Sequence, residues 1–194
     1  MANISRRDSP EAFLVDYFRD LGRATVRAAM PEDRIPMIPL LQVPHDWQVL
    51  DSNTAMISTR YAVQGLCMSL YRRYAALAGD DRGSWFSAVT DSGRVIGLST
   101  ARLYTSGGCR VDGFAHKNHE SLWNDLVQSA IDWGAGRDAS SFEAAVSAED
   151  EDKSALFESI GFRAADQGEP FDLGDRKVES IRLNAAIDQL VRDG

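Results

Sequence analysis

Trp85-Phe86-Ser87-Ala88-Val89, Asp91-Ser92-Gly93, Val95-Ile96-Gly97-Leu98-Ser99-Thr100-Ala101-Arg102-Leu103, Ser106-Gly107-Gly108, Arg110-Val111-Asp112-Gly113-Phe114-Ala115: read in order, these residues are strand, turn, strand, turn, strand. The three longer runs are rich in β-branched and aromatic side chains. The two short ones end in glycine, which supplies the backbone angles that tight hairpins need. The stretch therefore predicts a three-stranded antiparallel meander. Gly113, inside the third strand, predicts a bulge or a close backbone approach by another part of the chain.

Downstream of the meander the period changes. After the polar loop His116-Lys117-Asn118-His119-Glu120, Leu122, Leu126, Val127, Ala130 and Ile131 recur at helical spacing over residues 121–134. Ser141-Phe142-Glu143-Ala144-Ala145-Val146 reads as a strand, residues 152–160 as a short helix closed by Gly161, and residues 162–164 and 178–183 as two more strands. Upstream, residues 61–78 read as a helix with Leu66, Leu70, Tyr74 and Leu77 on one side. Pro36, Pro39 and Pro44 break residues 36–60 into turns and irregular chain, Pro31-Glu32-Asp33 starts a helix, and residues 24–28 form a short strand. At the start, Ser9-Pro10-Glu11 opens a helix that carries Phe13, Leu14, Tyr17, Phe18 and Leu21 and stops at Gly22. Its apolar face is expected against the domain or against a second copy of the chain.

Bulk properties narrow the function classes. With 194 residues, 44% of them hydrophobic and 26% charged, one domain with its own core is expected. A formal charge of -8 opposes sequence-independent nucleic-acid binding, which needs clustered Lys and Arg, and favours a cationic substrate. Cys67 and Cys109 stand far apart and outside any C-x-x-C pair, so both are read as reduced thiols, with neither a disulfide framework nor a zinc site. No apolar run approaches the roughly 20 residues of a membrane span, and residues 1–10 are polar where a signal peptide is apolar. A cytoplasmic protein without a membrane or nucleic-acid partner is the expectation.

The stretch Val111-Asp112-Gly113-Phe114-Ala115-His116-Lys117-Asn118-His119, followed by a helix, a strand and Ala155-Leu156-Phe157-Glu158-Ser159-Ile160-Gly161-Phe162, resembles the GNAT superfamily of acyl-CoA-dependent N-acyltransferases. That family's late motif reads Ala-x-x-Leu-Tyr-x-x-x-Gly-Phe, and Phe157 stands in the tyrosine place. The resemblance implies an α/β fold: a mixed, mostly antiparallel central sheet flanked by helices over residues 24–194, with residues 1–23 as an extra N-terminal helical extension. It also implies that the fourth strand of the family's sheet, residues 110–116, splays from the fifth, residues 141–147. Acetyl-CoA or another acyl-CoA would lie in the cleft between them. Its pantetheine would bond the backbone of Phe114, Ala115 and His116 as an added strand, beside Phe157. Its diphosphate would sit on the amides near Ser121 and Leu122, with Lys117, His116 and His119 supplying charge or donors.

The activity so implied is transfer of an acyl group, an acetyl group above all, from CoA to the primary amine of a small molecule or peptide by direct attack. Asp112 is then the candidate base and Tyr104 the candidate acid. Asn118-His119-Glu120-Ser121-Leu122-Trp123 lies over the family's Gln/Arg-x-x-Gly-x-Gly/Ala loop with neither glycine present, and Glu120 adds an anion there. Trp123 puts the largest residue where the smallest usually stands, and Phe157 has no hydroxyl to protonate a thiolate. These departures carry the alternative: a weakly active or inactive GNAT-like module that binds a ligand or a protein partner, with a homodimer as one form of partner. Blander roles stand beside the sharp ones. His116 and His119 also read as solvated loop residues, Asp112 as a surface carboxylate and Glu149-Asp150-Glu151-Asp152 as a solvated helix start. Trp123 and Trp133 read as packing, Cys109 as a thiol with nothing but Arg110 to activate it, and no metal is expected.

Overall fold

In the computed structural model, which describes residues 10–19, 22–62 and 67–190, the chain runs α1 (Pro10–Tyr17), β1 (Ala24–Ala28), α2 (Ile38–Gln42), β2 (Val49–Asp51), β3 (Met56–Ile57), α3 (Cys67–Gly79), β4 (Gly83–Thr90), β5 (Val95–Leu103), β6 (Gly108–Ala115), α4 (Trp123–Ala135), β7 (Ser141–Ser147), α5 (Glu151–Ser159), β8 (Arg163–Gln167), β9 (Phe171–Asp172), β10 (Lys177–Val178) and β11 (Ser180–Ala186). Short 3-10 segments follow β1, precede α4 and follow β11. Seven strands make one sheet in the order β1-β4-β5-β6-β7-β11-β8. Every neighbouring pair is antiparallel except β6 and β7, which α4 connects as a parallel pair. This is the mixed, mostly antiparallel sheet flanked by helices that the resemblance implies.

Alternation along the strands splits the interior into two cores. Val111, Val127, Ile131, Phe142, Val146, Phe157, Phe162 and Leu183 pack between the sheet and α4 and α5. Phe18, Leu40, Leu50, Tyr74, Trp85, Leu98 and Phe114 pack on the other side, under α2, α3 and the end of α1. The two cores part where β6 leaves β7. Their ladder runs only from Gly108 opposite Ser141 to Arg110 opposite Glu143, and beyond it residues 111–115 and 144–147 diverge. The expected splay is present.

Several expected elements shift. Of the helix read over residues 61–78, Cys67–Gly79 is described and helical, residues 61–62 are a turn, and residues 63–66 lie outside the described residues. The prolines do break residues 36–60, yet Ile38–Gln42 is helical, because Pro39 falls in the first turn, where a missing N–H costs nothing. Residues 49–57 form a hairpin, β2 against β3, where irregular chain was expected. The β9–β10 hairpin was not legible at all. α1 ends at Tyr17 rather than at Gly22. Ser9, Leu21 and Leu66, and the side chains of Phe13 and Cys67, lie outside the described residues.

Gly161 ends α5 as expected, at φ +108°, and a Cβ there would stand 2.2 Å from the Gln189 carbonyl oxygen. Of the two roles read for Gly113, the structure shows the close approach and not the bulge: the β5–β6 register is continuous, and β5 and α4 both press on this position. A Cβ on Gly113 would meet Ser99 Cβ at 2.9 Å and Val127 Cγ2 at 3.2 Å, so the bare backbone is what lets α4 lie flat on the sheet. Gly113→Ala is expected to lower stability by about 1–3 kcal/mol through overpacking, read as a fall in the urea midpoint at unchanged slope.

Candidate functional site

The strand edge that the splay leaves free is not open. The Gly113 N–H donates to Asp112 Oδ1 at 2.7 Å, and the Gly113 carbonyl accepts from the Trp123 indole N–H at 3.0 Å. Trp123 comes from the first turn of α4 and is almost wholly buried, edge-on to Phe157 at 4.9 Å, which is itself edge-on to Phe162 at 5.2 Å. The reading of Trp123 as packing is correct, and it packs against the unpaired edge of β6.

Residues 48–52 cross the splay and are tied to both sides of it. On the β7 and α5 side, Asp150 accepts the Gln48 N–H at 2.8 and 2.9 Å and the Val49 N–H at 3.2 Å. The Gln48 side chain accepts from the Ser147 hydroxyl at 3.0 Å and donates to Glu149. On the β6 side, the Ser52 N–H donates to Asp112 Oδ2 at 2.7 Å. Lys153, from α5, closes the arrangement with three short contacts: Asp112 Oδ1 at 2.6 Å, the Val49 carbonyl at 2.9 Å and the Leu50 carbonyl at 3.0 Å. Lys153 and Asp112 are both 0% exposed. An ammonium has three protons to give, and all three are used.

Asp51 adds a second buried carboxylate. Its Oδ1 accepts from the Thr100 hydroxyl at 2.8 Å and from the Asn53 N–H at 2.9 Å, whereas Oδ2 has no hydrogen-bond partner among the described residues. Burial first, and then the charge of Asp112, push its pKa up to about 6. Burial raises Asp150 as well, opposed by the backbone donors of residues 48 and 49.

These facts relocate the residues singled out from sequence. Asp112 is not a surface carboxylate or an accessible base, because it is enclosed and paired with Lys153. Phe114 is buried edge-on to His45 at 5.2 Å, and His116 is stacked on Phe18 at 4.0 Å. Burial pushes His116 down to about 4, so it is neutral at pH 7, and its Nδ1 accepts the Asn118 N–H at 3.2 Å. His116 is therefore neither a solvated loop residue nor a cation for a diphosphate. His119 is half-buried, with Nε2 unpartnered among the described residues. Lys117, Ala115 and Glu120 line a small cavity of about 30 Å³ with His45 and Trp47, and Ser121 lines a separate cavity of about 290 Å³ beside Leu156. Leu122 is half-buried at the end of the 3-10 turn, and Phe157 is 0% exposed in the core. Cys109 is a buried free thiol that burial pushes up to about 12, so it is no nucleophile. Among the described residues no cluster of ligating side chains could hold a metal ion.

Tyr104 lies elsewhere, on the open face of the sheet. Its hydroxyl donates to Glu143 Oε1 at 2.9 Å, and Arg110 grips the same oxygen through Nε at 2.9 Å and Nη2 at 2.6 Å. Burial raises the Tyr104 pKa. Asp112 and Tyr104 thus share no partner, and the structure does not join them into one catalytic pair. Lys153, Asp51 and Asp150 were missed as a group. The available signal was a lysine three residues after an aspartate at a helix start, in a chain with only three lysines.

Comparison with solved structures bears on the architecture. A spermidine N-acetyltransferase from Vibrio cholerae, in complex with CoA and spermine, superposes with a TM-score of 0.64 at 17% identity over 86% of this chain and 96% of that one. A probable acetyltransferase from Staphylococcus epidermidis gives 0.68 at 15% identity over 85% and 99%, and a GNAT-family acetyltransferase from Streptococcus pneumoniae gives 0.63 at 15% over 85% and 99%. This chain has the GNAT fold. No protein-family model and no curated protein matches the sequence. At these identities the likeness concerns the GNAT fold alone. The residues along the splay do not fit an added CoA as they stand. The Gly113 N–H and C=O are both engaged, Phe114 and His116 are covered, and about 30 Å³ beside Ala115 holds roughly one water.

Two outcomes follow. Lys153→Met, which leaves Asp112 buried without its counter-charge, is expected to cost about 3–5 kcal/mol in urea unfolding, and Lys153→Met with Asp112→Asn less than the sum of the single changes. Asp51 has its folded pKa above the ordinary 3.8, so the folded state holds that proton more tightly. Its contribution is intact below about pH 4 and is lost as pH rises through about 6, on the order of 3 kcal/mol in all. Asp51→Asn is therefore expected to gain on the parent chain between pH 4.5 and 7.5, as read by urea midpoints at the two values.

Proposed function

We propose that this GNAT-fold chain is a ligand-binding module in which the cleft that would take acyl-CoA has become part of the core. The observation that carries the reading is the double engagement of Gly113 by Asp112 and Trp123, with residues 48–52 pinned across the splay by Lys153 and Asp150. The ligand site is the open face instead. There, a cavity of about 600 Å³ lined by Tyr104, Arg110, Glu143, Glu169 and Arg182 adjoins one of about 370 Å³ lined by Asp80, Arg82, Arg102 and Arg110, the two sharing Ser52, Tyr104, Thr105 and Arg110. Cavities of this size suit a small molecule held by a few convergent polar groups.

A second reading has a specific observation in its favour. The unpaired length of β6 and the fold shared with N-acetyltransferases support acyl transfer from a CoA thioester to an amine, in a conformation where residues 48–52 have left the splay. The readings divide on acetyl-CoA. A ligand at 100 times its Kd stabilises a protein by about 2.7 kcal/mol, which is several degrees of Tm for a chain of this size. The expected outcome is no Tm shift and no calorimetric heat with about 1 mM acetyl-CoA or CoA. Saturable binding accompanied by amine-dependent release of free thiol overturns the module reading in favour of the transferase.

A further inference from the structure

Arg102 on β5 and Arg110 on β6 are register partners, so their side chains leave the sheet side by side on the same face. Like charges directly opposite each other weaken a strand pair. Arg110 is answered by Glu143, which takes its Nε and Nη2 and leaves Nη1 without a partner among the described residues. Arg102 is exposed and has no carboxylate within 4.0 Å among the described residues. Neither has Arg82, whose Nη2 donates only to the Leu103 carbonyl at 3.2 Å. All three arginines line the cavity of about 370 Å³, and Asp80 is the one acidic residue in its wall. Ser52 is on the same wall, and its hydroxyl oxygen is buried without a partner among the described residues. A net positive cavity in a chain whose formal charge is -8 is a local arrangement, not a reflection of composition.

We propose that this cavity binds an oxyanion, the phosphate or carboxylate group of a small molecule, between Arg102 and Arg110, with Arg82 closing its end. Guanidinium forks donate pairs of N–H bonds to such oxygens, and the cross-strand repulsion is relieved when the anion is in place. The shared wall of Ser52, Tyr104, Thr105 and Arg110 leaves the rest of the molecule free to extend into the larger cavity. The proposal rests on the ligand-binding reading and names the ligand class of that site.

The test is thermal denaturation and calorimetry at low ionic strength, with inorganic phosphate and succinate as probes and sodium chloride at matched ionic strength as the control. The expected result is a saturable rise in Tm with one or both probes, the responding probe identifying the group as phosphate or carboxylate. Arg102→Gln removes that rise, and it raises the Tm of the ligand-free protein by about 1–3 °C because the like-charged pair is gone. Arg82→Gln, outside that pair, weakens binding roughly tenfold without stabilising the free protein. A Tm response no greater than that to sodium chloride overturns the proposal, as does a response unchanged by Arg102→Gln. Failure of the module reading looks different. Acetyl-CoA binding that survives Arg102→Gln places the cofactor in the splay and leaves the phosphate and succinate results to decide this site. Acetyl-CoA binding lost with Arg102→Gln assigns its phosphates to this cavity.

Discussion

A buried ammonium must find three acceptors, and the Nζ of Lys153 finds them on two pieces of chain far from its own helix: the Asp112 carboxylate in β6 and the carbonyls of Val49 and Leu50 in β2. Removing both charges from water costs several kcal/mol, and only near-complete hydrogen bonding offsets it. That requirement fixes where residues 48–52 lie. They must pass between the diverging halves of β6 and β7, because that is where Lys153 and Asp112 face each other. Asp150 then meets the amides of Gln48 and Val49, and Gln48 meets Ser147. The hairpin of β2 and β3 and the burial of Asp51 follow from that placement.

The departures from the resembling motifs are consistent with one another once this arrangement is known. Trp123 replaces a small residue, and its indole N–H finds an acceptor in the Gly113 carbonyl that the splay leaves unpaired. Phe157 replaces a tyrosine in a fully buried space between Trp123 and Phe162, where a hydroxyl would need a buried partner. His116 is covered by Phe18, and its ring nitrogen accepts the Asn118 amide that opens the loop. A cleft whose polar groups are paired within the chain accommodates aromatic bulk.

Charge is partitioned between interior and surface in an unusual way. Asp51, Asp112 and Asp150 are inside with Lys153, whereas the open face of β5 and β6 carries adjacent arginines. Net charge averages over both. It therefore pointed to a cationic substrate, while the cavity wall formed by Arg82, Arg102 and Arg110 with Asp80 is net positive.

Much of the architecture was legible because it is encoded locally. The alternating runs and glycine turns of residues 85–115, the helical period of residues 121–134 and the Gly161-Phe162 ending each depend on neighbours within a few positions. That was enough to determine the meander, the helix and strand that follow it and the GNAT resemblance, and it was the resemblance that implied the placing of β6 beside β7. The candidate site was legible only as a set of positions. Asp112 and Tyr104 could be named, but whether Asp112 faced solvent, a substrate or Lys153 is decided by contacts between residues as much as 104 positions apart, as between Val49 and Lys153. Periodicity specifies which face of a strand is apolar. It carries no information on which distant group neutralises a buried charge. Only the tertiary structure sets those pairings, because electrostatic and hydrogen-bonding partners are chosen by proximity in space rather than by spacing along the chain.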